Sequence, residues 1–192
     1  GTDEDDIRKS FNEKVNMKIF AWNESHEKDT TMTPLDSIKY CRQILQCGFM
    51  AMDPLSGEVK AWVGGSDFKN FKYDHVNFNT KRQVGSTIKP LLYSLAIEEA
   101  GFTPSSMVED VQQSFGEYGL VPATTTSCTG ATMPMSQALA TSKNCATAYI
   151  LKQLDANGNN GAKRFVDFLK RCDFQTKLDA YPSIALGACE IS

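Results

Sequence analysis

The sequence predicts an α+β fold, and three observations predict it. Phe49-Met50-Ala51-Met52 and Val59-Lys60-Ala61-Trp62-Val63 are short apolar runs flanking a connection in which Ser56-Gly57 supplies a hairpin turn. Leu91, Leu92, Leu95 and Ala96, with Tyr93 and Ile97 beside them, recur at helical spacing. They stop at Gly101, a residue suited to the left-handed turn after a helix. Further runs through Ala146, Tyr149, Ile150, Leu151 and Leu154, and from Ala162 to Leu169, read as two more helices.

In chain order, residues 1–30 form a polar segment and residues 31–192 one domain, with a helix or turn around Pro34 to Leu45 ahead of the hairpin. A loop leads to Gln83 and the helix that begins near Ser86. The stretch from Thr103 to Met133 is rich in Gly, Thr, Ser and Pro and weakly periodic, which suits a segment lining a cleft. A short helical run from Met135 to Ala140 follows, then a turn at Ala140-Thr141-Ser142-Lys143-Asn144. Asn157-Gly158-Asn159-Asn160-Gly161 separates the last two helices, and no repeat or low-complexity tract is present.

Composition excludes several classes. With 41% hydrophobic and 22% charged residues in 192, the chain can bury one core. The first 30 residues hold eight acids and five bases against 15 and 15 in the remainder, so the net charge of −3 comes from that segment. No basic stripe offers a nucleic-acid surface. No apolar run approaches the roughly 18 residues of a membrane span, and Gly1-Thr2-Asp3-Glu4-Asp5-Asp6 is unlike a signal peptide. Six cysteines, at 41, 47, 128, 145, 172 and 189, form no Cys-x-x-Cys pair. Neither a zinc site nor any other metal or cofactor is expected. An exported protein could pair some of the cysteines, but their spacing does not say which, and Cys145 reads equally as a small buried hydrophobe. His26 and His75 are too few and too separated for a cluster and are assigned to structure.

The chemistry lies in Arg82-Gln83-Val84-Gly85-Ser86-Thr87-Ile88-Lys89-Pro90. Ser86 and Lys89 stand nearly one helical turn apart, so their side chains face the same way. A serine hydroxyl needs a base to become a nucleophile, and a desolvated lysine can be that base. By chance, 15 serines and 15 lysines in 192 residues give about one such pair, and the chain has three. Ser25/Lys28 and Ser66/Lys69 lie at no convincing helix start; only Ser86 precedes an apolar helical run. Gly85 removes a side chain where a substrate would approach, and Pro90 falls in the first turn, where a missing N–H matters least. Unpaired N–H groups there favour an oxyanion. The plainer alternative makes Ser86 an N-cap and Lys89 a solvated first-turn residue.

In the second element, Ser142 and Asn144 project from one side of a turn between helices, offering a hydroxyl that can relay a proton and an amide that donates and accepts. Ser-x-Asn is unspecific alone, and Ser10-Phe11-Asn12 repeats it in the charged N-terminal segment.

Together and in this order, Ser-x-x-Lys and Ser-x-Asn resemble the signature of the serine acyl-transferases that react with penicillin. The segment Gly48 to Gly65 and the Arg82 to Pro90 block resemble the transpeptidase domain of bifunctional class A penicillin-binding proteins, and Leu186-Gly187 resembles a helix entry in that family. The resemblance implies a penicillin-binding/β-lactamase-like fold, an antiparallel sheet flanked by helices, and a peptidoglycan cross-linking D,D-transpeptidase acting through an acyl-enzyme. It implies Ser86 as nucleophile, Lys89 as general base, Ser142 as proton relay and Asn144 as the group orienting the substrate amide. Its implied partners are D-Ala-D-Ala stem peptides and β-lactam antibiotics, without a cofactor. The family's third motif, Lys-Thr/Ser-Gly on a cleft-lining strand, occurs nowhere in the 192 residues. The chain is therefore expected to be a piece truncated before that strand and weak or inactive by itself. A glycosyltransferase domain and membrane anchor are expected upstream, with the parent at the periplasmic face of the inner membrane. A serine β-lactamase and a catalytically incomplete β-lactam- or peptidoglycan-binding module are the alternatives.

Overall fold

Asp3 precedes helix α1 (Glu4–Asn12), whose first turn carries Glu4, Asp5 and Asp6 and whose last carries Lys9, a charge order that complements the helix dipole. This is the first element of a computed structural model that describes residues 3–125, 128–155 and 160–191. The chain divides into two units, Gly1–Thr80 and Lys81–Ser192.

In the first unit, β1 (Val15–Phe20) and β2 (Glu27–Met32) form an antiparallel hairpin with Val15 opposite Met32 and Phe20 opposite Glu27. Ile19 and Phe20 are its buried end. The Phe20 ring meets Trp22 and Phe71 edge-on at centroid distances of 4.9 and 5.1 Å, a favoured aromatic geometry. Helix α2 (Pro34–Gln43) starts on a Thr33 cap that accepts the Asp36 N–H, with Pro34 in the first turn. Its Tyr40 hydroxyl donates to the Phe20 carbonyl at 2.9 Å. The expected hairpin is β3 (Phe49–Met52) paired with β4 (Val59–Val63), and its bounds are those the apolar runs imply. The Asp53 carboxylate accepts the Leu55 and Ser56 N–H groups, and Gly57 takes the left-handed φ of +73°.

In the second unit, β5 (Arg82–Gln83) leads through a 3₁₀ turn at Gly85–Ile88 into α3 (Lys89–Ala100), which ends on left-handed Gly101 as expected. The weakly periodic stretch holds β6 (Met107–Glu109), β7 (Gln113–Ser114), β8 (Leu120–Val121) and β9 (Thr132–Pro134). Helices α4 (Met135–Ala140), α5 (Asn144–Leu154) and α6 (Gly161–Arg171) follow. The core lies between α3, α5 and α6, where Leu92, Leu95, Ile150, Leu151, Leu154, Phe165 and Leu169 are fully buried. Burial of such a side chain contributes roughly 1.5–3 kcal/mol. Arg164 and Arg171 of α6 pair with Glu99 of α3 along the solvent edge.

Leu186-Gly187 does not enter a helix within the described residues. It closes a 3₁₀ turn (Pro182–Leu186) and leads into β10 (Glu190–Ile191), which pairs antiparallel with β5. The fold is α+β with antiparallel pairing throughout; among the described residues the strands join two by two in five small sheets. No described helix is long and apolar enough to cross a membrane.

Candidate active site

Backbone bonds set the position of Ser86. The Val84 N–H donates to the Cys189 carbonyl at 3.0 Å and the Gly85 N–H to the Gly187 carbonyl at 3.1 Å, extending the β5–β10 ladder to the residue before the serine. The approach at Gly187 is close: with φ at +75°, a Cβ built there would stand 1.9 Å from the Gly85 carbonyl oxygen. Only glycine fits. Gly85 itself has φ of +55° and open space where a side chain would be, so its backbone conformation is what calls for glycine. Ser86 lies within the 3₁₀ turn rather than capping α3, and its side chain is exposed.

Lys89 begins α3 and is not solvated. It is 1% exposed, and its ammonium donates to the Ser142 carbonyl at 2.7 Å, the Ser142 hydroxyl at 3.0 Å and Asn144 Oδ1 at 2.7 Å. Burial pushes its pKa below the ordinary lysine value. Two of the three partners, a carbonyl and an amide oxygen, can only accept. The hydroxyl of Ser142 is the only partner able to reverse the direction of its bond, so a neutral Lys89 can receive a proton along that line.

The Ser142 turn is a helix terminus. The Ser142 N–H donates to Leu139 O and the Lys143 N–H to Ala138 O, both at 2.9 Å, the Schellman pattern that ends α4. Its left-handed position usually holds glycine, yet here Ser142 takes φ of +52°. A serine there costs of order 1–2 kcal/mol, in return for a hydroxyl aimed at Lys89. Asn144 is the first residue of α5, and its Oδ1 is spent on Lys89. The Asn144 Nδ2 group has no partner among the described residues, leaving a donor for an incoming ligand. All four residues singled out by their motifs lie in the second unit, and Lys89 is directly bonded to Ser142 and to Asn144.

The other copies of these spacings are used up locally. Ser25 Oγ donates to Asn23 Oδ1 and Glu27 O, and Lys69 reaches Glu27 Oε1 at 2.5 Å. Ser10 Oγ and Asn12 Nδ2 turn back onto the Asp6 and Arg8 carbonyls of their own helix. His26 Nδ1 lies 2.8 Å from Asp67 Oδ2, and the His75 ring meets Tyr73 edge-on. No group of three His, Cys, Asp or Glu residues suited to a metal occurs among the described residues.

Two supports of the Ser142 turn carry no sequence motif. Asp110, fully buried at the end of β6, accepts the Ala146 N–H on Oδ1 at 3.3 Å. Its Oδ2 accepts the Thr129 N–H at 3.1 Å and the Thr129 hydroxyl at 2.7 Å. Lys143 Nζ lies 3.6 Å from Oδ2. Burial opposes ionisation of Asp110, but the Thr129 and Ala146 bonds and the Lys143 charge outweigh it and hold the carboxyl below its ordinary range. Cys145 is not a free hydrophobe: it forms a disulfide with Cys128, which ties the second residue of α5 to the segment carrying Thr129. Cys41, Cys47, Cys172 and Cys189 remain thiols.

The chain as a whole is similar to known proteins of one kind. Residues 47–181 match the model of the penicillin binding protein transpeptidase domain and residues 1–45 that of the penicillin-binding protein middle domain. The chain is 36% identical over 158 residues to penicillin-binding protein 2D of Bacillus subtilis, covering 74% of this chain and 20% of that protein. It is 30% identical over 152 residues to penicillin-binding protein 1A of Pseudomonas aeruginosa, covering 77% and 18%. Against penicillin-binding protein 1A of Vibrio cholerae it is 34% identical over 148 residues, covering 73% and 17%. The chain thus belongs to the penicillin-binding protein transpeptidase family, and it spans about a fifth of the length of these relatives.

Proposed function

We propose that this chain is part of a peptidoglycan cross-linking D,D-transpeptidase that works through an acyl-enzyme on Ser86. The observation that carries the reading is the buried Lys89 ammonium, held on Ser142 and Asn144 one helical turn from an exposed serine. A lysine with no carboxylate partner and little water is cheap to deprotonate, which a structural lysine has no need to be.

Neutral Lys89 takes the Ser86 proton as Ser86 Oγ bonds to the carbonyl carbon of the penultimate D-alanine of a stem peptide. The C–N bond to the terminal D-alanine then breaks, and its nitrogen leaves with a proton passed from Lys89 through the Ser142 hydroxyl. The free Nδ2 of Asn144 orients the substrate amide. An amine from a neighbouring stem attacks the ester, gives its proton to the same base and releases Ser86. A β-lactam enters as the D-Ala-D-Ala end and stays as an ester on Ser86. In the parent protein, a Lys-Thr/Ser-Gly strand would supply a cation for the substrate carboxylate and an oxyanion N–H, and an upstream anchor would hold the domain at the outer face of the inner membrane.

The test is intact-protein mass after incubation with a penicillin, for this chain, for the full-length protein and for Ser86→Ala in each. A penicillin-sized adduct on the full-length protein, absent from the variant, is expected, with little or none on the 192-residue chain. No adduct on full-length wild type would leave a non-catalytic binding module as the better reading.

A further inference from the structure

Asp110 is the only fully buried carboxylate among the described residues, and it touches neither Ser86 nor Lys89. Among the described residues, its hydrogen-bond and ion-pair partners belong to two segments. Thr129 lies on the loop that follows residue 128. Ala146 and Lys143 flank Asn144, and Lys143 is the middle residue of Ser142-Lys143-Asn144. The backbone of Asp110 is fixed as well: its N–H donates to Ala131 O at 2.8 Å, and its carbonyl accepts the Gly130 N–H at 3.0 Å. Lys143 is the residue before α5, and its own side chain makes no capping bond, so the third N–H of that helix is satisfied from another element.

We propose that Asp110 is the positioning residue of the Ser142-Lys143-Asn144 turn, holding the Lys89 acceptors in the geometry that acylation requires. The proposal rests on the acyl-enzyme reading for its chemistry, while the positional claim can be measured without it. Ser142 occupies a left-handed conformation that serine does not favour, and such a residue stays put only when its surroundings over-determine it. Asp110 supplies that determination at the middle of the turn and just beyond it, through the Lys143 charge and the Ala146 N–H. The Cys128–Cys145 disulfide fastens the same two segments covalently, which shortens the span over which the carboxylate must act. If the turn drifts, Ser142 Oγ and Asn144 Oδ1 leave Lys89 together, and a misplacement of about 1 Å can cost on the order of 100-fold in rate.

The experiment uses the full-length protein with a fluorescent penicillin, separating the dissociation constant of the non-covalent complex from the acylation rate constant. Asp110→Asn keeps the side-chain volume but faces Thr129 or Ala146 with an NH₂ donor in place of an acceptor. It is expected to lower the acylation rate constant about 10- to 100-fold with the dissociation constant within about twofold. Thr129→Val, which removes one donor and keeps its shape, is expected to give a several-fold loss of the same kind and carries the test if Asp110→Asn does not fold. Amide hydrogen exchange of segment 142–146 is followed in parallel and is expected to rise in both variants while the α3 and α6 amides stay protected. Wild-type acylation rates in the variants, or losses of rate matched by equal losses of affinity and of global protection, would overturn the proposal. A wild-type protein that forms no Ser86 adduct, yet loses protection only at 142–146 in the variants, would sink the acyl-enzyme reading and keep Asp110 as the residue that holds the turn.

Discussion

Lys69 and Lys89 follow a serine at the same spacing, and the two have opposite fates. Lys69 is 75% exposed and shares a proton-rich contact with Glu27, whose hydrogen bond and charge push the lysine pKa up. Lys89 is 1% exposed, meets only neutral oxygens, and its pKa is pushed down by burial. A spacing becomes chemistry only when the fold removes water without supplying a counter-charge. The first lysine is an ordinary surface cation whose solvent-screened ion pair contributes little. The second gives up its proton more readily than an ordinary lysine, because burial disfavours its charged form.

The hardest blow to this contrast comes from replacing Lys89 by Arg. A guanidinium does not deprotonate, so penicillin acylation of the full-length protein, read by gel fluorescence, is expected to fall on the order of 100- to 10,000-fold. Lys69→Arg and Lys69→Ala should stay within about twofold, and a comparable loss at position 69 would break the comparison. Next in size is the pH profile. In the proposed mechanism acylation requires neutral Lys89, so its rate is expected to climb with pH and level off below the ordinary lysine value of 10.5. Stability has the same sign: the penalty for burying the ammonium is full below the folded pKa of Lys89 and is relieved as pH rises through it towards 10.5. A plateau reached only above that value would contradict the burial argument. Smaller still is Ser142→Gly, which trades an unfavourable left-handed serine for the residue that the Schellman position prefers. Thermal or urea unfolding should stay within about 1 kcal/mol of wild type, or improve, while acylation drops. Equal losses of both would mean that the hydroxyl serves packing rather than proton transfer. The last test, with the smallest direct claim on the chemistry, is Gly187→Ala, expected to cost at least about 1 kcal/mol in unfolding free energy because its Cβ meets the Gly85 carbonyl, with acylation slowed in proportion to the displacement of Ser86.

The legible parts of this molecule were those governed by neighbours in sequence. The β3–β4 hairpin announces itself by apolar runs and a Ser-Gly turn, and α3 by an apolar face that ends on a left-handed glycine. Helix α6 extends its amphipathic run by one residue before and two after, because the Asn160 side chain caps it by accepting the Lys163 N–H. The β1–β2 hairpin was not legible, since Glu27-Lys28-Asp29-Thr30-Thr31-Met32 is polar on both faces and only Ile19 and Phe20 of its partner are buried. The four motif residues could be named from spacing and resemblance. What surrounds them could not. Asp110 finds Ala146 across 36 residues and Thr129 across 19, and neither contact leaves a periodic trace. Cys145 beside the Ser-x-Asn turn was the one hint of the Cys128 link, and pairing needs geometry that a string of residues lacks. The left-handed Ser142 was hidden for a related reason: the Schellman signal is normally a glycine, and here a serine stands in its place.

The ladder between β5 and β10 has a consequence for how the protein is made. Its bonds join Gly85 to Gly187, about a hundred residues apart, and loops of that length close late and against substantial entropy. During synthesis from the N-terminus, Ser86 leaves the ribosome long before the residues that aim it. Ser86 is therefore made about a hundred residues ahead of Gly187, and the serine acquires its setting only when Gly187 arrives.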